Sequence, residues 1–473
     1  MSTPKCGRTF FPANTWRRWS LGCLIRDCDI PLNRTCLVLR RRSERLRSGM
    51  DISGNSKQRA MDDKLINLPM DVLNCILDHL PIRDAARTSI LSRKWRYIWA
   101  GHPKLVLDPK NIVTVTKNDF VGICNEILLQ HIGPILTFHV YLSDVHMSQY
   151  PNIDRWILYL SRNGLRKLKI KNSWGRVYAL PSYIFLCQEL TELELSNCIF
   201  KQPCGTIRSF QNLKVLFLIQ VAFKPEVSAS IFTASKLETL CFIKCIGMDH
   251  LKFDGCSPSL SFLVLYKNHG VTLSCFMNCK RITTAKLVLP MEVKSLLGPG
   301  KRINLASLFE HWPLISSLFL DAYHLKLLAA DSITSALPVK VNHLRVLKLS
   351  GINFTNEVQI SSILCLLHSS PRVHSLEIWM NVPTTIVDNN PVLKYLQDRS
   401  CMSEEINSLR DLKMRYFQGS RAEMLFVKLI LVCCPALERV TFEDWEVKPS
   451  EVSNILKELV VFPRASRKAQ IIF

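Results

Sequence analysis

From Leu165 onward the chain repeats one short pattern of apolar positions. LRKLKI at 165–170 recurs as LTELEL at 190–195, LKVLFL at 213–218, LETLCF at 237–242 and LSFLVL at 260–265. Looser copies follow at 282–287, 315–320, 344–349, 373–378, 409–414 and 437–442. Within each copy the closing apolar residues alternate with others, the period-two signature of a strand with one buried face. The first five copies start 25, 23, 24 and 23 residues apart, so each strand is followed by a return segment of near-constant length.

Residues 65–99, LINLPMDVLNCILDHLPIRDAARTSILSRKWRYIW, follow a different rule. Val72, Leu73, Ile76, Leu77 and Leu80 form a helical stripe. Pro69 suits the first helical position, where its missing N–H costs nothing, and Pro81 stops the helix. A second helix is predicted over Ile82–Leu91, and Ser92 caps a third that carries Trp95 and Trp99 one turn apart. Three short helices cannot bury this many large apolar groups among themselves, so some should meet a partner. A helical cap on the first repeat is the alternative reading.

Strands recurring at this spacing, with an L-x-x-L-x-L frame, are the sign of leucine-rich repeats, whose period is roughly 20–29 residues. SNC at 196–198 also fits the Asn/Cys position of that consensus. A single repeat cannot cover its own apolar edge, so neighbours must stack into a curved solenoid with the strands on its concave face. The residues between the paired leucines then point outward. Lys169, Glu194, Lys348, Glu377 and Lys413 put charge toward both ends of that face, while Phe217, Cys241 and Val264 make an apolar patch between them. Phe217, Cys241, Val264 and Phe319 are therefore candidates for holding a target protein; a covering helix or insertion is the competing account of the same patch.

The helical cluster resembles the F-box of substrate receptors in SCF-type ubiquitin ligases, on Leu68-Pro69, Val72-Leu73, Ile76-Leu77, Leu80-Pro81, the run 84–89, Leu91-Ser92, 94–96 and Trp99. Residues 401–473 are similar to the FBD domain of plant proteins, on 412–414, FQGS at 417–420, 429–437 across Cys433-Cys434-Pro435, 456–459, FPRAS at 462–466 and the closing IIF. That segment reads strand, helix, strand, helix, final strand, and suits a modified last repeat. The family with all three parts is the plant F-box/FBD/LRR-repeat group. The resemblance implies that the F-box binds a Skp-type adaptor, which bridges to a cullin scaffold and its RING subunit. It implies adaptor contacts at Leu68, Pro69, Leu73, Ile76, Leu77, Leu80, Pro81, Ala86, Leu91 and Trp95. The expected fold is α/β: a short three-helix F-box, a leucine-rich-repeat solenoid, and a closing FBD segment. The boundaries are a basic arm at 1–60, the F-box at 62–108, a linker with irregular first repeats at 109–164, repeats at 165–400 and the FBD at 401–473.

Composition narrows the functional classes. Hydrophobic residues make up 48% and charged residues 21%, as in an ordinary folded chain. The 18 cysteines include no Cys-x-x-Cys pair, so neither zinc nor a disulfide framework is expected, and most read as reduced core thiols. The most apolar stretch, 424–434, is broken by Lys428 and too short for a bilayer, and no secretory signal opens the chain. Localisation in the nucleus or cytoplasm follows as the expectation. Net charge is +22, and residues 1–60 hold 13 Lys/Arg against 4 Asp/Glu, concentrated in LRRRSERLR at 39–47. This arm reads as solvated, with Met50 and Met61 as alternative starts.

Catalytic motifs are missing. GPGKR at 298–302 lacks the first Gly and the Ser/Thr of a phosphate loop, and there is no metalloprotease or serine-hydrolase signature. The chain is expected to be a non-catalytic ligase subunit without cofactors, acting by proximity. It would bind the adaptor through the F-box and an unknown target protein through the repeats and FBD, with no membrane and no nucleic acid expected. The competing class is a basic repeat scaffold, outside any ligase, that binds an acidic protein or nucleic acid. A repeat receptor for a small anionic ligand is a third, although no residue cluster specifies one.

Overall fold

The computed structural model describes residues 67–112, 119–142, 150–172, 176–201, 210–224, 235–248, 257–271, 273–289, 305–328, 337, 339–381, 391–397, 405–444, 447 and 449–473. The arm 1–60, the 39–47 basic run and the 298–302 turn lie outside these residues.

The N-terminal cluster forms α1 (Met70–Asp78), α2 (Ile82–Arg87) and α3 (Arg93–Ala100). Each Leu-Pro pair ends at a helix start, one position earlier than expected for Pro69. That residue is the cap rather than the first helical residue; at φ −53° and ψ 148° its carbonyl accepts from the N–H groups of Val72 and Leu73. Pro81 repeats the arrangement before α2, its carbonyl accepting from Asp84 and Ala85. The helix expected over Ile82–Leu91 is shorter, giving way to a 3-10 turn at Thr88–Ile90. The Thr88 and Ser89 hydroxyls donate back to the carbonyls of Ala85 and Ala86 at 2.6 Å, which favours the tighter turn. Ser92 caps α3 as expected, its hydroxyl accepting from the Trp95 N–H at 3.2 Å.

Among the described residues, fourteen strands then form one parallel sheet. They are β1 (Lys104–Leu107), β2 (Thr137–Leu142), β3 (Lys167–Asn172), β5 (Glu192–Ser196), β7 (Val215–Ile219), β9 (Thr239–Ile243), β10 (Phe262–Tyr266), β11 (Thr284–Val288), β12 (Ser317–Asp321), β13 (Val346–Ile352), β14 (Ser375–Met380), β15 (Asp411–Arg415), β16 (Arg439–Glu443) and β17 (Gln470–Ile472), paired in that order. A small outer sheet pairs β4 (Tyr178–Ala179), β6 (Cys198–Phe200) and β8 (Ala222–Phe223). The ladder begins earlier than the leucine pattern. β1 lies within the stretch read as F-box, and β2 within the stretch read as linker, flanked by α4 (Asp119–Gln130) and α5 (Tyr150–Ser161). Both strands alternate buried and half-buried residues without the leucine frame, as in KLVL and TFHVYL.

The leucines of the frame are the core. Leu193, Leu195, Leu216, Leu218, Leu347 and Leu349 are fully buried, each opposite its counterpart in the next strand's register. Behind them Phe200 and Phe223 of the outer sheet lie tilted against each other with centroids 5.7 Å apart, and Phe223 meets the Phe242 ring of β9 edge-on at 6.5 Å. The turn out of the strand also recurs. Asn197, Gln220, Lys244, Lys267, Tyr416 and Asp444 each follow a strand and take φ between 51° and 60°. Their left-handed backbone keeps the ladder going: the Asn197, Gln220, Lys244 and Lys267 N–H groups donate to the last strand carbonyl of the next repeat. The cost of the conformation, about 1–2 kcal/mol per residue, is thus offset by a continuous hydrogen-bond row. At the C-terminal end the helix Arg421–Cys433 opens with a capping box between Ser420 and Glu423. Strand and helix alternate there in the order read from the sequence.

Gly247 is a point where this packing leaves no room for a side chain. It lies at φ 72°, and a methyl there would sit 2.3 Å from the Phe223 carbonyl oxygen. Gly247→Ala should lower the free energy of unfolding by about 2–4 kcal/mol, from backbone strain and overpacking together. Urea unfolding would show a lower midpoint at unchanged slope. A midpoint equal to that of the wild type would contradict the packing described.

Candidate functional site: an exposed F-box face joined to the solenoid

Leu73, Leu77, Trp95 and Ile98 are buried and hold α1 to α3 together. Leu68, Ile76, Leu80 and Ala86 are half-buried, and Pro69 and Pro81 are exposed. Among the expected adaptor contacts, then, Leu73, Leu77 and Trp95 serve this small core, while Leu91 stands in the open. Leu91 is 68% exposed, and it is flanked by Ile90 at 81% and Tyr97 at 67%. The sequence reading passed over Ile90 and Tyr97. Their only signal was a pair of adjacent apolar residues ahead of a capping serine, followed by an aromatic in the basic run. Arg83, Arg87, Arg93, Lys94 and Arg96, all exposed, lie within a few residues of them along the chain, Arg87 paired with the half-buried Asp84. An apolar ridge ringed by cations suits a partner that offers an apolar pocket with an acidic rim.

This face is fixed to the solenoid rather than tethered to it. His102 is buried, with Nδ1 3.1 Å from Asn74 Oδ1 and Nε2 3.2 Å from Asp78 Oδ1. The same Asp78 oxygen meets the Lys104 ammonium at 3.2 Å, so α1 is bound to the start of β1. Burial lowers the His102 pKa against the pull of Asp78. His131 completes the joint: its Nε2–H donates to the His102 carbonyl at 3.0 Å, and its Nδ1 accepts from the Gly133 N–H at 3.2 Å. Backbone bonds from Ile132 to Ala100 and from Leu136 to Pro103 run alongside. Ile82 of α2 belongs to the same apolar cluster as the leucines of the repeats.

On the concave face, Phe217, Cys241 and Val264 lie in register in one cross-strand row that continues through Lys286 to Phe319. Only Phe217 is half-buried; Cys241, Val264 and Phe319 are buried and offer little surface. Phe319 is enclosed by the Trp379 ring, edge-on at 5.3 Å, and by the Lys286 ammonium 4.2 Å from its centroid. Outward alternation alone does not reveal this crowding by neighbouring rows. The charges at the two ends are paired across strands. Lys169 meets Glu194 at 2.6 Å, Lys348 meets Glu377 at 3.2 Å, Arg415 meets Glu377 at 2.9 Å, and Lys413 meets Glu443 at 2.6 Å. Burial would raise the Glu377 pKa, but Lys348, the Trp379 indole and Arg415 together hold it below the usual carboxylate range. Among the described residues no cluster of His, Cys, Asp or Glu could hold a metal ion, and no helix is long and apolar enough to cross a membrane.

Three short helices with an exposed apolar and cationic face, joined to a parallel-strand ladder, define a repeat protein with an N-terminal helical module. Comparison with known proteins agrees. The F-box domain family matches residues 65–107, and the family described as FBD-associated F-box protein At5g56370, LRR repeats, matches residues 153–283. F-box/FBD/LRR-repeat protein At1g13570 of Arabidopsis thaliana is 31% identical over 421 residues, covering 87% of this chain and 98% of its own length. FBD-associated F-box protein At1g66310 of the same plant is 26% identical over 483 residues, covering 89% of this chain and 100% of its own. A solved leucine-rich-repeat protein of Leptospira interrogans covers 81% of this chain and 92% of its own, at 15% identity and a TM-score of 0.29. The chain belongs to the plant F-box/FBD/LRR-repeat family.

His139, in the row next to the joint, is one of the groups that make stability depend on pH. His139, beside Lys169 in register, has its pKa lowered to about 4 by burial first and then by Lys169, Lys104 and Lys167. An unfolded imidazole takes up its proton near pH 6.5, whereas the folded ring stays neutral. The contribution of His139 is therefore complete above about pH 6.5 and is lost as the pH falls from there toward 4. Urea unfolding at pH 7.5 and 5.0 should show a smaller acid loss for His139→Asn than for the wild type. An equal loss in both would contradict this.

Proposed function

We propose that this F-box protein is the substrate-recognition subunit of an SCF-type ubiquitin ligase. The F-box would dock on a Skp-type adaptor and through it reach the cullin and RING subunits, while the repeats and FBD hold a target protein for ubiquitination. The observation that carries the reading is the ridge of Ile90, Leu91 and Tyr97, exposed among five cations and fixed to the solenoid by the His102–Asp78–Lys104 joint. A receptor of this kind needs no catalytic side chain. It acts by holding a target lysine at high effective concentration near the loaded conjugating enzyme, and a rigid joint keeps that distance fixed. Phe217 and the half-buried Lys169 and Glu194 beside it are the proposed start of the target surface. We place this work in the nucleus or cytoplasm, where buried free thiols stay reduced. A nucleic-acid scaffold gains little support from the net charge of +22, because Lys169, Lys348 and Lys413 on the concave face are matched to carboxylates rather than set out as a cationic stripe.

Co-purification with a Skp-type adaptor tests the reading. The wild type should form a stable complex, and Leu91→Asp should weaken it at least tenfold without altering thermal unfolding, as expected for an exposed interface anchor. Leu77→Asp would instead put a carboxylate into the three-helix core and report on folding. A wild type that binds no Skp-type adaptor would defeat the proposal.

A further inference from the structure

Where the strands of the large sheet begin, each repeat adds one residue to a row that crosses from strand to strand. Over the last repeats this row reads Ser316, Arg345, His374, Arg410 and Glu438, and each backbone N–H donates to the carbonyl of the residue before it at 2.8 or 2.9 Å. Neighbouring strands lie about 4.8 Å apart, so the backbone sites of Arg345 and Arg410 are separated by roughly 10 Å, with His374 between them. Both arginines are exposed and His374 is half-buried. Two residues earlier in the chain come Leu314, His343 and Arg372, also exposed.

Elsewhere the sheet balances such charges itself. Lys214, on the same row, meets Glu238 of the next repeat at 3.3 Å. One position on, Lys167 pairs with Glu192, and Asp411 with Arg439 at 2.6 Å. From β13 to β15 the pairing on the row stops. Among the described residues Arg345, Arg372 and Arg410 make no ion pair, and the row meets its next carboxylate only at Glu438. Like charges on neighbouring strands destabilise a sheet, so a stretch left unbalanced is relieved by an anion laid along it.

We propose that this row holds a short, extended acidic segment of the target protein, its carboxylates on Arg345, Arg372 and Arg410 and an apolar side chain beside Leu314. The inference rests on the target-binding reading above and gives the target its chemistry. Charge complementarity names the occupant. The cations are set one to a strand rather than converging on one point, so they match carboxylates spaced along a chain better than a single phosphate. The row is also short, closed by Glu438 at one end and by the neutral Ser316 at the other. A nucleic acid, whose sites neutralise on the order of 6–10 phosphates, would run off it. A second copy of the same row would be repelled.

Fluorescence anisotropy of the full-length protein with a labelled synthetic peptide, a run of Glu closed by two Leu, tests this. The wild type should bind the peptide less tightly as salt is raised, and should bind the Gln counterpart at least tenfold more weakly. Reversing both arginines, Arg345→Glu with Arg410→Glu, should weaken binding at least tenfold at an unchanged thermal midpoint, because both side chains are exposed. Lys224→Glu reverses an exposed cation of an earlier repeat and should bind as the wild type does, which separates the row from net charge. Equal affinity in the doubly reversed protein and in Lys224→Glu overturns the proposal and, where the adaptor still binds, leaves the ligase reading standing. A labelled oligothymidylate that binds more tightly than the peptide and is lost on the same reversal assigns the row to nucleic acid and likewise overturns it. Peptide binding that follows the row, in a wild type that binds no Skp-type adaptor, defeats the ligase reading and upholds the acidic-segment site.

Discussion

A stack of leucine strands has two ends, and each exposes an apolar cross-section that must be covered. In this protein the first strand is covered by the F-box, with Ile82 inside the repeat core and Asp78 bonded to both His102 and Lys104. At the other end the Ser420-capped helix and the helix Pro449–Val461 flank the last strands. The helices that close the first repeat are the same helices proposed to dock. The helices that could have been only a lid on the first repeat are a lid, and the side they turn outward is the ridge of Ile90, Leu91 and Tyr97. A terminal unit with a polar outer face would suffice to close a solenoid. An apolar outer face is more than closure requires.

Rigid coupling has a mechanical consequence. A receptor that brings a target to a distant reactive centre works through effective concentration, which falls steeply when the connection loosens. The joint here uses hydrogen bonds, an ion pair and a shared apolar core in place of a flexible linker, so the strands keep one orientation to the ridge of Ile90, Leu91 and Tyr97. The pairing of Lys348, Glu377 and Arg415 has a similar effect on the concave wall, fixing side chains that would otherwise sample many rotamers.

How much of this was legible in the sequence depended on how local the cause was. The strands from Leu165 onward could be read directly because their leucines alternate at fixed spacing and each repeat solves the same packing problem. β1 and β2 solve it with KLVL and TFHVYL, which alternate without the frame, and so merged into the stretches read as F-box and linker. The cap by Ser92 was readable because it needs only its own helix, whereas the placement of Pro69 depended on backbone angles that a residue type does not specify. The site was harder. Apolar type marks Leu77, Trp95 and Leu91 alike; only the packing of three helices separates the two that become core from the one that remains exposed. On the strand face, outward alternation marked Cys241, Val264 and Phe319, but all three are buried, Phe319 against the Trp379 ring.

The most direct test of the account is amide hydrogen exchange of the full-length protein, free and saturated with a purified Skp-type adaptor. The account predicts slowed exchange in the three N-terminal helices, residues 70–100, with the strands of the solenoid unchanged. Protection on the concave strands instead, or none in the three N-terminal helices, would contradict it.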